Sequence, residues 1–211
     1  MSAYWAEFLT IAVAHLLAVA SPGPDFAIVL RQSLNHGRRT AVWTSIGIGS
    51  GISLHVGYSL LGISLLLKSS ATAFAVLQYA GAAYLAWLGV QALRSRPRTA
   101  SGTAAPAAGG PPSDRAAFVT GFLTNALNPK ATLFFLALFP VAVSADTPRL
   151  VQAGYGLWII LTTMGWFTLV SLLFTRPDIR GRFLRHGHWI DRALGVVFLG
   201  FAASLLFANL R

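Results

Sequence analysis

A carboxylate lies inside an apolar segment of the sequence that is long enough to cross a lipid bilayer. The segment runs from 8 to 30, and its interior contains Ser21-Pro22-Gly23-Pro24-Asp25. The two prolines lack backbone N–H groups, so two carbonyls lose their helical partners. A carboxylate at that depth costs about 3 kcal/mol or more, and irregular backbone is tolerated there only beside protein or a watery cavity. We therefore predict that residues 20–26 form the wall of a binding site; the alternative is a proline-kinked helix capped locally by Asp25.

A second apolar segment carries a matching interruption, Asn125-Ala126-Leu127-Asn128-Pro129-Lys130. Pro129 frees the carbonyl of Asn125, and Asn128 adds a side-chain amide at the same point. Lys130 then falls in the first turn of the next helical segment, which is the unfavourable end of the helix dipole for a cation. A buried lysine in this position requires a partner or an anionic ligand. Asp25 is the expected partner, either within a substrate site or as a purely structural pair.

His55 is the third candidate, because it lies well inside an apolar run of its own. Together with Asp25 it could relay protons, since histidine changes charge near neutral pH. A core histidine that is hydrogen-bonded to a carbonyl is the alternative. Ser50 precedes His55 by five positions, which places the two about 140° apart around a helix. They are therefore a poor nucleophile–base pair.

Several kinds of chemistry lack the residues they need. The sequence has no cysteine, so disulfides, thiolate metal sites and dithiol redox chemistry are excluded. It has no His-Glu-x-x-His pattern and no pair of membrane-embedded carboxylates. We therefore predict a protein that is not an enzyme and has neither a metal site nor a cofactor.

The elements that position these residues are apolar runs. Of the 211 residues, 55% are hydrophobic and only 10% are charged, well below the quarter that is typical of soluble domains. Six runs approach the roughly 20 residues that a spanning helix needs, so we predict an all-α integral membrane protein with six transmembrane helices. The runs are 8–30, 41–67, 71–93, 116–144, 150–174 and 189–210.

Positive charge predicts the orientation of these helices. Twelve arginines cluster after the first, third and fifth runs, whereas Lys68, Arg149 and Arg211 belong to the other side. The positive-inside rule then places both termini outside and the segment 95–115 in the cytoplasm. Because this distribution explains the net charge of +10, we predict no nucleic-acid partner. The twelve are Arg31, Arg38, Arg39, Arg94, Arg96, Arg98, Arg115, Arg176, Arg180, Arg182, Arg185 and Arg192.

The low-complexity segment 95–115 divides the chain into two similar halves. It is rich in alanine, glycine and proline, as flexible linkers are. Residues 1–94 and 116–211 would each contain three helices, and an odd number makes the halves inverted repeats with broken first and fourth helices. Matching breaks in inverted repeats are typical of a transporter's binding site. The glycine ridge of the second run, which includes Gly47 and Gly51, favours close helix packing, and a homodimer through it is a further hypothesis.

At this level the sequence resembles a known family. Ser21-Pro22-Gly23-Pro24-Asp25 and the stretch 121–140, with Asn128-Pro129-Lys130 inside it, are similar to the two signatures of the lysine exporter family (LysE/RhtB), which includes the homoserine/threonine resistance exporters. The resemblance covers essentially the whole chain. One difference is Val141-Ala142, where relatives often have Gln-Phe. The resemblance implies a multi-pass exporter of amino acids or close derivatives in the bacterial inner membrane, coupled to protons.

These observations lead to one functional hypothesis. The substrate is a zwitterion, and its two charges would meet Asp25 and Lys130 between the breaks, where a dry site must satisfy both. The predicted binding residues are Ser21, Pro22, Gly23, Pro24, Asp25, Asn125, Asn128, Pro129 and Lys130. In the empty site, Asp25 and Lys130 would pair with each other. The alternatives are a metal-cation exporter of the wider superfamily and a non-transporting membrane scaffold.

Overall fold

The computed structural model describes residues 2–21, 23–69, 71–96, 110–144 and 146–207. Within these ranges the chain forms eight helices and no strand. The helices are α1 (Ser2–Ala20), α2 (Pro24–Asn35), α3 (Gly37–Ser69), α4 (Ala71–Leu93), α5 (Asp114–Ala126), α6 (Pro129–Ala142), α7 (Arg149–Phe174) and α8 (Pro177–Phe207). The protein is therefore all-α, as the apolar runs predict.

Two pairs of helices are continuous apart from a sharp bend. The axes of α1 and α2 differ by 50°, and those of α5 and α6 differ by 53°. Both bends fall at the proline-containing stretches, where missing N–H groups interrupt the helical ladder. By length and apolar composition, α7 is the one described helix that suits a bilayer alone, and counting each bent pair as one span gives up to three. The arrangement of six spans stays a prediction.

Helix α3 lies at the centre of the packing. It packs against α5 and α7, while α4 packs mainly against α8 and α6. One apolar cluster, around Phe135, Phe139 and Ile159, joins α1, α3, α4, α6, α7 and α8. A smaller cluster around Phe26 and Phe167 joins α2, α3 and α7.

The glycines of α3 are used for packing within the chain. A β-carbon on Gly47 would collide with the carbonyl of Phe118, and one on Gly51 would lie 2.9 Å from the carbonyl oxygen of Phe122 in α5. Close backbone approach of this kind is what small residues on helices allow. The pair Gly47 and Gly51 is thus covered by α5. The homodimer stays a hypothesis.

Polar contacts tie the helix ends together. Arg39 at the start of α3 donates two hydrogen bonds to the carboxylate of Asp114 at the start of α5, at 3.0 and 2.8 Å. At the other end of α5–α6, the carboxylate of Glu7 accepts from the backbone N–H of Ser144 at 3.0 Å and from the hydroxyl of Thr147 at 2.8 Å. Glu7 therefore holds the α6–α7 connection against α1.

Several predicted boundaries differ from the structure. The sixth apolar run begins at 189, but α8 begins at Pro177 and so includes the arginines from 180 to 185. Proline suits the first turn of a helix, and no later proline interrupts the segment. Helix α5 begins at Asp114, with Ser113 as its cap, two residues inside the predicted linker. Most of that linker, 97–109, lies outside the described residues.

Candidate functional site between the two helix breaks

The first break separates α1 from α2. Helix α1 ends at Ala20, and α2 starts at Pro24 after Gly23, whose backbone is extended. Pro22 lies outside the described residues. Because residues 22 and 24 carry no N–H group, nearby carbonyls are left for other donors. This is the local backbone that the sequence predicts.

The second break is capped by a side chain. Asn128 precedes Pro129, the first residue of α6, and its Oδ1 accepts a hydrogen bond from the backbone N–H of Lys130 at 3.0 Å. Such a cap satisfies one of the free N–H groups at a helix start. The carbonyl of Asn125, freed by Pro129, accepts from the backbone N–H of Asn128 at 2.9 Å. The local sequence thus folds α6 so that the other end of the Asn128 amide faces the first break.

The carboxylate of Asp25 joins the two breaks. Its Oδ2 accepts hydrogen bonds from Nδ2 of Asn125 at 2.9 Å and from Nδ2 of Asn128 at 3.1 Å. Its other oxygen, Oδ1, is buried and has no hydrogen-bond partner. An unsatisfied buried carboxylate oxygen is costly unless a ligand or water completes it. The arrangement therefore leaves one acceptor available on a fixed carboxylate.

The ammonium group of Lys130 contacts the first break instead of Asp25. Its Nζ donates to the carbonyl of Ser21 at 2.8 Å and to that of Ala18 at 3.4 Å. No direct ion pair joins Lys130 and Asp25 in the described part of the chain, so the expected pairing of the two in the empty site is wrong. The reason is that proline leaves the Ala18 carbonyl without its helical donor, while the two asparagines hold Asp25 through Oδ2. Gly23 leaves room for the lysine, because a β-carbon there would lie 3.3 Å from its Cδ.

His55 contacts Asn125, one of the residues that hold Asp25. Its Nε2 lies 2.9 Å from the carbonyl oxygen of Asn125, and Nδ1 lies 2.7 Å from the hydroxyl of Tyr58. Because a carbonyl only accepts, Nε2 must carry a proton. The ring also stacks on Phe135, with centroids 5.7 Å apart. This geometry favours the interpretation of His55 as a core histidine that orients Asn125, which in turn donates to Asp25.

A cavity opens between the two breaks. Its empty space, counted with its open side, is about 460 Å³. Pro24 and Pro129 are exposed and do not line it, so their role is to shape the backbone. His55 does not line it either. The predicted site residues that do line it are Ser21, Gly23, Asp25, Asn125, Asn128 and Lys130.

Part of the cavity wall was not predicted from the sequence. His15 of α1 and Thr163 of α7 also line it, as do aromatic residues such as Phe135 and Phe167. In the sequence, His15 could have been noticed only as a histidine inside an apolar run, and no local pattern indicates Thr163. Among the described residues, no group of three or more metal-ligating side chains is close enough to hold a metal ion.

A helical protein with a charged cavity at two matching helix breaks has the features of a membrane transporter. The family model described as LysE type translocator matches residues 16–209, and the chain belongs to this family. It is 35% identical to the threonine efflux protein of Escherichia coli K12 over 203 residues, which cover 96% of this chain and 98% of that protein. It is 35% identical to the homoserine/homoserine lactone efflux protein of Salmonella typhimurium over 149 residues, 71% of this chain and 69% of that protein. No solved structure matches the chain significantly.

Proposed function

We propose that this protein exports small amino acids or close derivatives across the bacterial inner membrane and binds them as zwitterions between the two helix breaks. The observation that carries the proposal is the pair of opposite charges on the wall of one cavity, each held by uncharged partners instead of by the other. A zwitterion in a dry site needs both counter-charges. Family membership and the names of the two efflux relatives point to the same class of substrate.

The substrate ammonium would bind the free oxygen of Asp25. Oδ1 is buried and has no partner, while Oδ2 is held by two amides. The carboxylate is thus pre-oriented, which reduces the cost of binding. The ammonium also finds backbone carbonyls at the breaks, the same groups that Lys130 now contacts.

The substrate carboxylate would bind Lys130. An ammonium group has three N–H donors, and two of those on Lys130 are engaged by carbonyls. The third remains for a ligand oxygen. Lys130 also lies in the first turn of α6, where the helix dipole favours an anion. Residue 131, which follows it, lines the cavity as well.

Asp25 is also the group that we propose for proton coupling. Protonation would weaken its attraction for the substrate ammonium, so release on one side of the membrane would accompany proton binding. His55 contacts Asp25 only through Asn125, and an amide is not a direct proton carrier. We therefore propose that His55 positions Asn125, and a proton relay through His55 is left to experiment.

The proposed architecture is six transmembrane spans in two inverted repeats, with both termini external and 95–115 cytoplasmic. Equivalent helices pack against each other in this arrangement: α3 against α7, and α4 against α8. The α3–α5 contact has its counterpart in the α7–α1 contact, and the α3–α6 contact has its counterpart in the α7–α2 contact. All residues of the proposed site come from a single chain, so the site does not require a dimer.

Transport of an amino acid is favoured over the two alternatives. A metal-cation exporter would need several ligands around Asp25, and its neighbours are two amides. A scaffold would not need a fixed carboxylate with an open acceptor at this depth. Because the family consists of translocators, we propose transport without catalysis.

Two measurements test the proposed function. Cells that overproduce the protein are challenged with inhibitory concentrations of single amino acids and analogues, with the Asp25→Asn variant as the matched control. We expect protection against a small neutral amino acid, such as threonine or homoserine, by the wild type only. Uptake of the protective compound into inverted vesicles should then require a pH gradient. Uptake that is unchanged without the gradient would remove the proton coupling, and protection by no amino acid would contradict the export function.

A further inference from the structure

Two polar side chains lie in the cavity apart from the residues assigned to the zwitterion. His15 of α1 and Thr163 of α7 are 3% and 1% exposed, and both line the same cavity as Asp25 and Lys130. Nε2 of His15 lies 3.1 Å from Oγ1 of Thr163. They connect two helices across the cavity wall, and nothing in the binding of a zwitterion requires them.

The hydroxyl of Thr163 differs from others in the same helix. Thr162 donates to the carbonyl of Trp158 at 2.8 Å, and Ser171 donates to that of Thr168 at 2.7 Å. Such bonds to the preceding turn are the usual way in which a hydroxyl is satisfied inside a helix. Thr163 makes its hydrogen bond to His15 instead. Its hydroxyl therefore faces the cavity and not its own backbone.

The hydroxyl of Thr163 can bond a ligand in either tautomer of His15. If Nε2 of His15 carries the proton, it donates to Oγ1, which leaves the hydroxyl proton of Thr163 and one lone pair available. If Nδ1 carries the proton, Thr163 donates to Nε2, which leaves the lone pairs of Oγ1 available. A ligand group that can both donate and accept suits both arrangements.

We infer that His15 and Thr163 form a subsite that hydrogen-bonds a hydroxyl group on the substrate side chain and so sets specificity. This inference rests on the proposed function, because it assumes an amino acid bound between Asp25 and Lys130. A hydroxyl is the smallest group that both donates and accepts. Apart from the pair and the polar residues of the two breaks, the cavity wall is apolar, including Phe135 and Phe167, and it offers no further counter-charge to a charged side chain.

Threonine and valine provide a direct test, because threonine has a hydroxyl group where valine has a methyl group. Uptake of each labelled amino acid into inverted vesicles is measured for the wild type and for Thr163→Val. The wild type should favour threonine, and the variant should lower the threonine-to-valine ratio by about tenfold, since a buried polar group loses its partner. His15→Leu should lower the ratio in the same direction, whereas Thr163→Ser should keep it. Thr162→Val is the matched control, because that hydroxyl is already bonded to its own helix.

The outcomes separate the subsite from the proposed function. A lowered ratio in Thr163→Val at normal membrane level, with an unchanged ratio in Thr162→Val, supports the subsite. A wild type that transports threonine while Thr163→Val and Thr162→Val have the same ratio would overturn the subsite alone. Equal losses of threonine and valine uptake in Thr163→Val would mean that the pair only fastens α1 to α7. A wild type that transports neither amino acid nor any other would overturn the proposed function and the subsite with it.

Discussion

Asn125 donates a hydrogen bond of 2.9 Å to the carboxylate of Asp25, and the two residues are 100 positions apart in the sequence. Asn125 lies in the last turn of α5, and Asp25 lies in the first turn of α2. The bond joins the two breaks at the point where we propose that the substrate ammonium binds. Any change that displaces Asn125 is therefore expected to disturb the carboxylate.

Gly51 offers a way to displace Asn125 without touching the charged residues. In Gly51→Ala the new β-carbon would lie 2.9 Å from Oδ1 of Asn125 and 2.9 Å from the carbonyl oxygen of Phe122. We expect the variant to lose most of its export of the substrate while it still inserts. Gly57→Ala is the matched control on the same helix, because a β-carbon there meets nothing within 4 Å. Alanine is also favoured over glycine in a helix by about 1 kcal/mol, so this control should be at least as stable as the wild type. Full export by Gly51→Ala would contradict the proposed link.

His55→Leu distinguishes positioning from proton relay. The substitution removes the donor to the carbonyl of Asn125 and the acceptor for Tyr58. If His55 orients Asn125, both gradient-driven uptake and substrate exchange without a gradient should fall together. Tyr58→Phe should have a smaller effect in the same direction, because Nε2 of His55 still reaches its carbonyl. Loss of gradient-driven uptake with normal exchange would instead identify His55 as a proton carrier.

The positions of both breaks could be predicted because the missing N–H of proline is a covalent property of the sequence. The matching of the two halves predicts that the breaks form one site, but it does not predict the hydrogen bonds from Asn125 and Asn128 to Asp25. The contact of Lys130 with the Ser21 carbonyl could not be predicted, since it depends on how a long flexible side chain is accommodated. The contact of His15 with Thr163 could not be predicted either. Helices α1 and α7 carry apolar residues around most of their circumference, and their sequences do not indicate which faces meet.

Glu7 is expected to stabilise the end of the bundle where α6 joins α7. Its carboxylate accepts hydrogen bonds from Ser144 and Thr147, and Glu7→Ala leaves these donors without an acceptor. We expect a loss of about 1–3 kcal/mol in the free energy of unfolding, measured as a lower melting temperature in detergent. Asp146→Ala removes the same charge from the same connection, where the residue is exposed, and should change the melting temperature little. Equal effects of the two variants would attribute the loss to charge alone.

The orientation predicts the outcome of reporter fusions. Fusions within 95–113 should be active as cytoplasmic reporters, and fusions after Arg211 should be active as external ones, because the arginines concentrate on one side. An external reporter signal within 95–113 would contradict the inverted-repeat architecture.

The linker is expected to be dispensable. Removal of about eight residues between Ser101 and Pro111 should leave insertion and export largely unchanged, since the segment is long for a connection between packed helices.

The central claim is that Asp25 and Lys130 bind the two ends of a zwitterion, and the double variant Asp25→Asn, Lys130→Met tests it most directly. The two side chains make no direct ion pair, but both charges lie on the wall of one cavity. Removing one buried charge and leaving its opposite uncompensated typically costs about 3–5 kcal/mol, whereas neutralising both is often tolerated. If the two charges were only structural, the double variant should recover both protein level and export relative to the single variants. We measure the membrane level of each variant and the uptake of labelled substrate into inverted vesicles. The account predicts a double variant at normal membrane level with no uptake, because neither end of the substrate has its counter-charge. Uptake restored in the double variant would contradict it.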